Sequence, residues 1–173
     1  MKFLGILVVF GLVFAGCGKP DAPPAALIVH EAASALPARA QPKLRTVKLW
    51  IGPEEITAEM ALRGIEIQTG MMFRTNIPEN EGMIFVLPAP QRAAFWMKNC
   101  PESLSAAYIN TQGVIEEIHH LEKEDTNSVV SASEDIRFVL EMKEGWFQRH
   151  NIETGVVVRT EFGSLAETFL RRQ

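Results

Sequence analysis

The residues best suited to bind a ligand stand where predicted structural elements end. Arg74 follows a short helical segment across a Gly-Met-Met turn, and Lys98 and Asn99 follow a strand that begins with aromatic residues. A guanidinium and an ammonium attract an anion, and a neighbouring amide orients it through hydrogen bonds. We therefore predict that Arg74, Lys98 and Asn99 bind an anionic or carboxylate-bearing ligand or partner segment. The ring of Trp96 would lie beneath it.

Glu141 is the carboxylate that an enzymatic mechanism would use. Beside Lys98 it would act in hydrolytic or transfer chemistry on a small polar substrate. The competing interpretation is a structural ion pair between Glu141 and Arg74, which we favour because such pairs are commoner than catalytic ones. The sequence therefore assigns no catalytic residue and favours a role that is not enzymatic. Glu141 and Lys98 are the weak catalytic candidates.

Methionine is concentrated in the first half of the predicted domain. Thioether sulfurs outside the cytosol can bind Cu(I), so Cu(I) handling is a third hypothesis. Its candidate ligands are Met71, Met72, Met83 and Met97. Methionine also fills irregular hydrophobic cores, and we favour that interpretation. We therefore expect no metal and no cofactor.

The composition indicates one folded domain with appendages. The chain has 173 residues, of which 47% are apolar, and its formal net charge is −4. This apolar content excludes wholesale disorder. The mild acidity and the lack of a basic run argue against nucleic acid as the main partner. Two cysteines support neither a disulfide scaffold nor a structural zinc site.

Residues 1–16 have the features of a lipoprotein signal peptide. Lys2 precedes an apolar run of Phe3 to Gly16, which is shorter than the roughly 20 residues that a membrane span needs. Small residues stand directly before Cys17 and resemble a bacterial lipobox, although Phe14 departs from its usual pattern. The resemblance implies cleavage before Cys17 and acylation of its thiol. An ordinary signal peptide with an incidental cysteine is the alternative.

Residues 17–43 form an Ala/Pro-rich tether that begins at the acylated cysteine. Half of the ten prolines lie in this segment. Treated as a flexible coil, it spans on the order of 25–30 Å and would hold the following domain away from the bilayer. We therefore expect an exported protein of the bacterial cell envelope that is held to a membrane through Cys17. The outer membrane is favoured in a diderm host, because Gly18 rather than Asp follows Cys17.

Residues 44–173 have the pattern of a single β-rich domain. A short helix is predicted within residues 62–73, with a break at Gly70, and the motif Ser164-x-x-Glu167 predicts a C-terminal helix. Residues 114–121 have helical spacing but follow turn-forming residues, so a helix and a hairpin both stay open. The predicted strands are 45–51, 55–61 and 83–87, one that begins at 95, and 136–142 and 156–162.

Three ordered segments carry a family resemblance. GMMFR at 70–74, GMIFV at 82–86 and FWMKN at 95–99 resemble the signatures of the domain of unknown function 192 family. The resemblance covers roughly residues 45–158. It implies a compact, mostly β fold and favours the hairpin, but it implies no established activity. One departure is Ser105, which stands where the family usually has Asp.

These observations together predict a mainly β domain, sandwich-like or barrel-like, with one or two short helices and a C-terminal helix. We interpret the protein as a non-enzymatic module of the cell envelope that binds a ligand or a protein partner. Hydrolytic or transfer chemistry and Cu(I) handling are the alternatives.

Overall fold

A curled eight-stranded sheet organises residues 37–171, the part of the chain that this computed structural model describes. The strand order is β10-β9-β1-β2-β3-β8-β5-β6, and β4 and β7 form a separate pair. Only β2 and β3 are parallel among these pairs of described strands, and α1 lies in the connection between them. The elements are β1 Thr46–Ile51, β2 Glu54–Ala61, α1 Gly64–Thr69, β3 Glu81–Gln91, β4 Ala94–Phe95, β5 Leu104–Asn110, β6 Ile115–Leu121, β7 Val129–Val130, β8 Ile136–Lys143, α2 Trp146–Arg149, β9 Val158–Thr160, β10 Gly163–Ser164 and α3 Leu165–Phe169.

Side chains along β8 point alternately to the two faces of the sheet, and each face packs against its own hydrophobic cluster. Phe138 belongs to one cluster, which also contains Trp146 of α2. Val139 belongs to the other, which also contains Phe85 of β3. Because successive side chains of a strand point to opposite faces, Glu141 lies on the same face as Val139. The carboxyl group of Glu141 therefore lies beside the second hydrophobic cluster.

The structure confirms the mainly β fold and most of the predicted elements. β1, β2, β3 and β8 lie where the apolar patterns predicted strands, and α1 ends at Thr69, directly before the predicted break at Gly70. α3 begins with the predicted capping box, in which the N–H of Glu167 donates to Ser164 Oγ at 3.1 Å. The ambiguous segment is a hairpin of β5 and β6. Its turn is closed by Asn110, whose Oδ1 accepts from the N–H of Gln112 at 3.0 Å.

Two predicted strands are shorter than expected. The strand predicted to begin at Phe95 is reduced to β4, which ends at Phe95. The chain after Phe95 turns away toward the segment that precedes β7. In that turn the N–H of Met97 donates to the carbonyl of Asp125 at 2.8 Å. The strand predicted over 156–162 is reduced to β9, because the chain reverses after Thr160 to form β10.

The predicted anchor, Cys17, and the signal peptide lie outside the described residues, and so does the tether up to residue 36. The end of the tether packs on the domain. The side-chain amide of Gln41 donates to the carbonyl of Gly70, at the end of α1, at 2.9 Å. Within the described residues, no helix is long and apolar enough to cross a membrane.

Candidate functional site

A cavity of about 310 Å³ opens on the face of the sheet that carries Glu141. Its walls come from the end of α1 and the turn after it, from β3, and from the segment around β4. Trp96, which is 37% exposed, marks its mouth. Glu141 is the one carboxylate among the described residues that line this Glu141 cavity. The lining residues are Ile67, Gln68, Thr69, Gly70, Met71, Met72, Phe85, Leu87, Gln91, Arg92, Ala93, Ala94, Phe95, Trp96, Cys100 and Glu141.

Glu141 is held in place by β8, which lies between β3 and β5 in the sheet. The residue is 4% exposed, and no hydrogen bond or ion pair to its carboxyl group occurs among the described residues. Because burial disfavours the charged form, the pKa of Glu141 is raised to about 8. The carboxyl group is therefore mainly protonated at neutral pH, when it can both donate and accept a hydrogen bond.

The buried neighbours of Glu141 are also uncharged near neutral pH. Burial, followed by the proximity of Glu141 and Glu124, raises the pKa of the Cys100 thiol to about 12. Burial and Glu141 also raise the pKa of Tyr108, whose hydroxyl donates to the carbonyl of Val129 at 2.7 Å. Reactive cysteines are thiolates, so the surroundings of Cys100 do not favour a nucleophilic role.

Arg74 is paired with Glu59 of β2, so the predicted ion pair between Arg74 and Glu141 is wrong. Nη1 and Nη2 of Arg74 donate to the two carboxylate oxygens of Glu59 at 2.6 and 3.0 Å. The preceding residue, Phe73, has a left-handed φ of 61°. Arg74 is not among the residues that line the Glu141 cavity.

Lys98 and Trp96 lie together at the cavity mouth. Nζ of Lys98 is 5.6 Å from the centre of the Trp96 ring, within range of a cation–π interaction. Asn99 joins two segments of the wall instead. Its carbonyl accepts from the N–H of Phe73 at 2.7 Å, and its Nδ2 lies 3.9 Å from Sδ of Met72. Neither Lys98 nor Asn99 lines the cavity itself.

The four methionines of the Cu(I) hypothesis are all buried in the second hydrophobic cluster. Met71 and Met72 line the Glu141 cavity, whereas Met83 and Met97 do not. The described residues contain no group of three or more His, Cys, Asp or Glu side chains that could hold a metal ion. The burial of the methionines fits the core-packing interpretation.

Ser105, at the position where the family usually has Asp, lies toward α2 rather than in the Glu141 cavity. Its hydroxyl accepts from the N–H of Gly145 at 2.8 Å, just before α2 begins. Its register partner on β8 is Met142, which belongs to the first hydrophobic cluster. Ser105 therefore contributes nothing to the lining of the Glu141 cavity.

Of the predicted candidates, the structure brings Glu141, Trp96, Met71 and Met72 to one cavity. Sequence reasoning missed Arg92, which lines the same cavity and whose Nε donates to the carbonyl of Ser131 at 3.1 Å. A signal for Glu141 was present in the pattern of β8. Both faces of that strand are buried, so a carboxylate near its centre marks an interior polar site.

Two solved structures share this fold. A protein of unknown function from Novosphingobium aromaticivorans DSM 12444 is 27% identical, with a TM-score of 0.64 over 74% of this chain and 96% of that chain. A protein from Sinorhizobium meliloti 1021, provisionally described as a transcription regulator, has a TM-score of 0.66 over 70% of this chain and 98% of that chain. Its identity is 20%, so the likeness concerns the fold alone. The chain matches no curated protein.

A family model covers most of the folded part of the chain. It is the model of domain of unknown function 192, with the description Uncharacterized ACR, and it matches residues 47–160. The matched range runs from the second residue of β1 to the end of β9 and includes the whole wall of the Glu141 cavity. The chain belongs to the domain of unknown function 192 family.

Proposed function

We propose that this domain is a non-enzymatic module that binds a small ligand in the Glu141 cavity. The observation that carries the proposal is the buried carboxyl group of Glu141, which faces the cavity and has no hydrogen-bond partner among the described residues. Burial makes this carboxyl group poorly hydrated, and leaving such a group without a hydrogen bond costs free energy. A ligand that bonds to Glu141 removes this cost, which gives the binding both affinity and orientation.

The walls of the cavity define the body of the ligand. Phe85, Leu87 and Phe95 supply apolar surface, and a volume of about 310 Å³ accepts a molecule of one or two rings. Because Glu141 is mainly protonated at neutral pH, the buried end of the ligand must accept a hydrogen bond. The ligand is therefore mostly apolar, with an acceptor at its buried end.

The mouth of the cavity favours a negatively charged outer end. Lys98 lies over Trp96, and Arg92 is an exposed residue of the lining. These two cations support the proposal of an anionic or carboxylate-bearing ligand. The guanidinium of Arg74 is bound by Glu59, so Arg74 is not part of the proposed ligand site.

Titration with dansylglycine tests the proposal. This fluorescent probe combines an apolar naphthalene ring, an accepting dimethylamino nitrogen and a carboxylate. Glu141→Leu removes the donor and Ala94→Trp fills the mouth from an exposed position. Each variant is expected to weaken binding by about tenfold or more, equivalent to about 1.4 kcal/mol. Lys98→Ala is expected to weaken it by about threefold to tenfold.

Lys123→Ala is the matched control for Lys98→Ala, because Lys123 is exposed and is not among the lining residues of the cavity. It is expected to leave the affinity unchanged. Equal affinities for the parent, Glu141→Leu and Ala94→Trp would mean that the probe binds elsewhere. That result would contradict the proposal.

An enzymatic role for Glu141 is the second candidate. The observation in its favour is the pKa of about 8, which lies near the working pH that suits a general acid or base. Hydrolysis of a panel of small polar esters by the parent and by Glu141→Gln tests this role. Turnover that is lost in Glu141→Gln and changes with pH near 8 would favour the enzyme over the binding module.

We further propose that the module acts in the bacterial cell envelope, on a tether that ends at acylated Cys17. The apolar run before Cys17 and the Ala/Pro-rich segment after it support this location. The negative net charge fits an anchor made of acyl chains better than attraction to anionic headgroups.

A further inference from the structure

The outer edge of β6 is open along most of its length. β6 is the last strand of the eight-stranded sheet and pairs only with β5 among the named strands. At its start, the N–H of Ile115 donates to the carbonyl of Val156 at 2.9 Å, and the N–H of Gly155 donates to the carbonyl of Ile115 at 2.8 Å. From Glu116 to Leu121, no further segment among the described residues hydrogen-bonds to the backbone of this edge. The edge therefore offers the backbone groups that an additional strand needs.

Two clefts continue from one another beside this edge. Their volumes are about 470 and 250 Å³, and they share the lining residues Ile118, Phe147 and Gln148. The first extends along residues 151–154 and the second extends past His120. We call the combined depression the β6 groove. It runs between β6 and α2, so the side chains on one face of an added strand would enter it.

The charges of the β6 groove are negative. Its charged lining residues are Glu153 in the first cleft and Glu144 in the second, both exposed, and neither lysine nor arginine is among the described lining residues. Oε1 of Glu144 lies 3.6 Å from Nδ1 of His120. The cations next to the groove along the chain are engaged elsewhere: Lys143 and Arg149 lie 3.9 and 2.7 Å from Glu79. Lysine or arginine side chains on a bound segment would complement the two carboxylates.

We infer that the β6 groove binds an extended basic segment of a partner protein by β-strand addition. The open edge supplies main-chain hydrogen bonds, Ile118 and Phe147 supply an apolar floor, and the two carboxylates select the charge of the partner. This interaction is separate from ligand binding, because the β6 groove and the Glu141 cavity share no lining residue.

A labelled peptide of about eight residues that alternates lysine and valine tests the inference on the full chain. Fluorescence anisotropy measures its affinity, and amide hydrogen exchange measures protection of β6. Binding is expected together with slower exchange along Glu116 to Leu121. The same peptide with alternate backbone amides methylated keeps its charge but loses half of its donors. Its affinity is expected to fall by about tenfold or more.

The double variant Glu144→Gln, Glu153→Gln tests the charge requirement. Its affinity for the lysine–valine peptide is expected to be about tenfold lower than that of the parent. The matched control is Glu124→Gln, Glu134→Gln, because both of these glutamates are exposed and lie outside the two clefts. Equal affinity for the methylated peptide, an equal loss in both double variants, or no binding would each overturn the inference. Protection of β6 that depends only on protein concentration would point to a second copy of the chain and would overturn it as well.

Discussion

Replacing Glu141 by glutamine should make the domain more stable, and increasingly so as the pH rises. Glutamine has nearly the same shape as glutamic acid but stays neutral at every pH. Glu141 is 4% exposed and has no ion-pair partner among the described residues, so its ionised form is strongly disfavoured in the folded state. The variant Glu141→Gln therefore removes a group that opposes folding when it ionises.

The size of the effect follows from the pKa. Burial raises the pKa of Glu141 from 4.5 to about 8, so between these values the folded state binds more protons than the unfolded state. Stability is then lost as the pH rises through this range. A tenfold change in proton affinity is worth about 1.4 kcal/mol, so the loss is roughly 3 kcal/mol at pH 7 and roughly 5 kcal/mol above about pH 8.

Urea unfolding of the parent and of Glu141→Gln across about pH 4 to pH 9 measures this difference. The free energies of unfolding are expected to diverge as the pH rises, with glutamine the more stable. Glu134→Gln, at an exposed position, is the control and should show no such divergence. A difference between Glu141→Gln and the parent that does not change with pH would refute the reasoning.

Two other predictions follow from individual contacts, and a third follows from the sequence before Cys17. Phe85 is 1% exposed and packs edge-on against Phe95, so Phe85→Ala should lower the free energy of unfolding in urea by about 3–5 kcal/mol. An unchanged midpoint of the urea transition would contradict the central position of Phe85. Arg74→Ala leaves buried Glu59 without its cationic partner and, among the described residues, with only the N–H of Leu44 donating to it, so the variant should cost about 3–5 kcal/mol, whereas Lys98→Ala should leave stability unchanged. The reverse order would contradict the assigned pairing. Cys17→Ala should abolish labelling by a palmitate analogue in the native host and leave either uncleaved precursor or soluble protein, and labelling that persists would exclude the proposed anchor.

Local sequence patterns predicted the strands and helices that are determined by interactions between residues close in the sequence. β1 was predictable because Val47, Leu49 and Ile51 face the core while the residues between them are half-buried or exposed. α3 was predictable because its capping box is a short-range hydrogen-bonding pattern. The hairpin of β5 and β6 was only an open alternative from the pattern, because a helical spacing competed with turn-forming residues until the family resemblance favoured the hairpin.

The candidate site depends on contacts between distant segments, which a local pattern does not report. Arg74 pairs with Glu59 rather than Glu141, and Glu59 is 15 residues away in the sequence. The Glu141 cavity combines α1, β3, β8 and the segment around β4, so its lining exists only once the sheet has formed. The sequence therefore identified Trp96 and Glu141 as candidates but not their meeting in one cavity.

The most direct test of a ligand site at Glu141 is the carbon-13 NMR titration of its carboxyl carbon, with and without saturating dansylglycine. In the free protein, the carboxyl group should titrate with a pKa of about 8. A ligand that accepts a hydrogen bond stabilises the protonated form, so the bound probe should raise this pKa further and displace the resonance. An ordinary pKa near 4.5, or identical titration curves with and without the bound probe, would contradict the account.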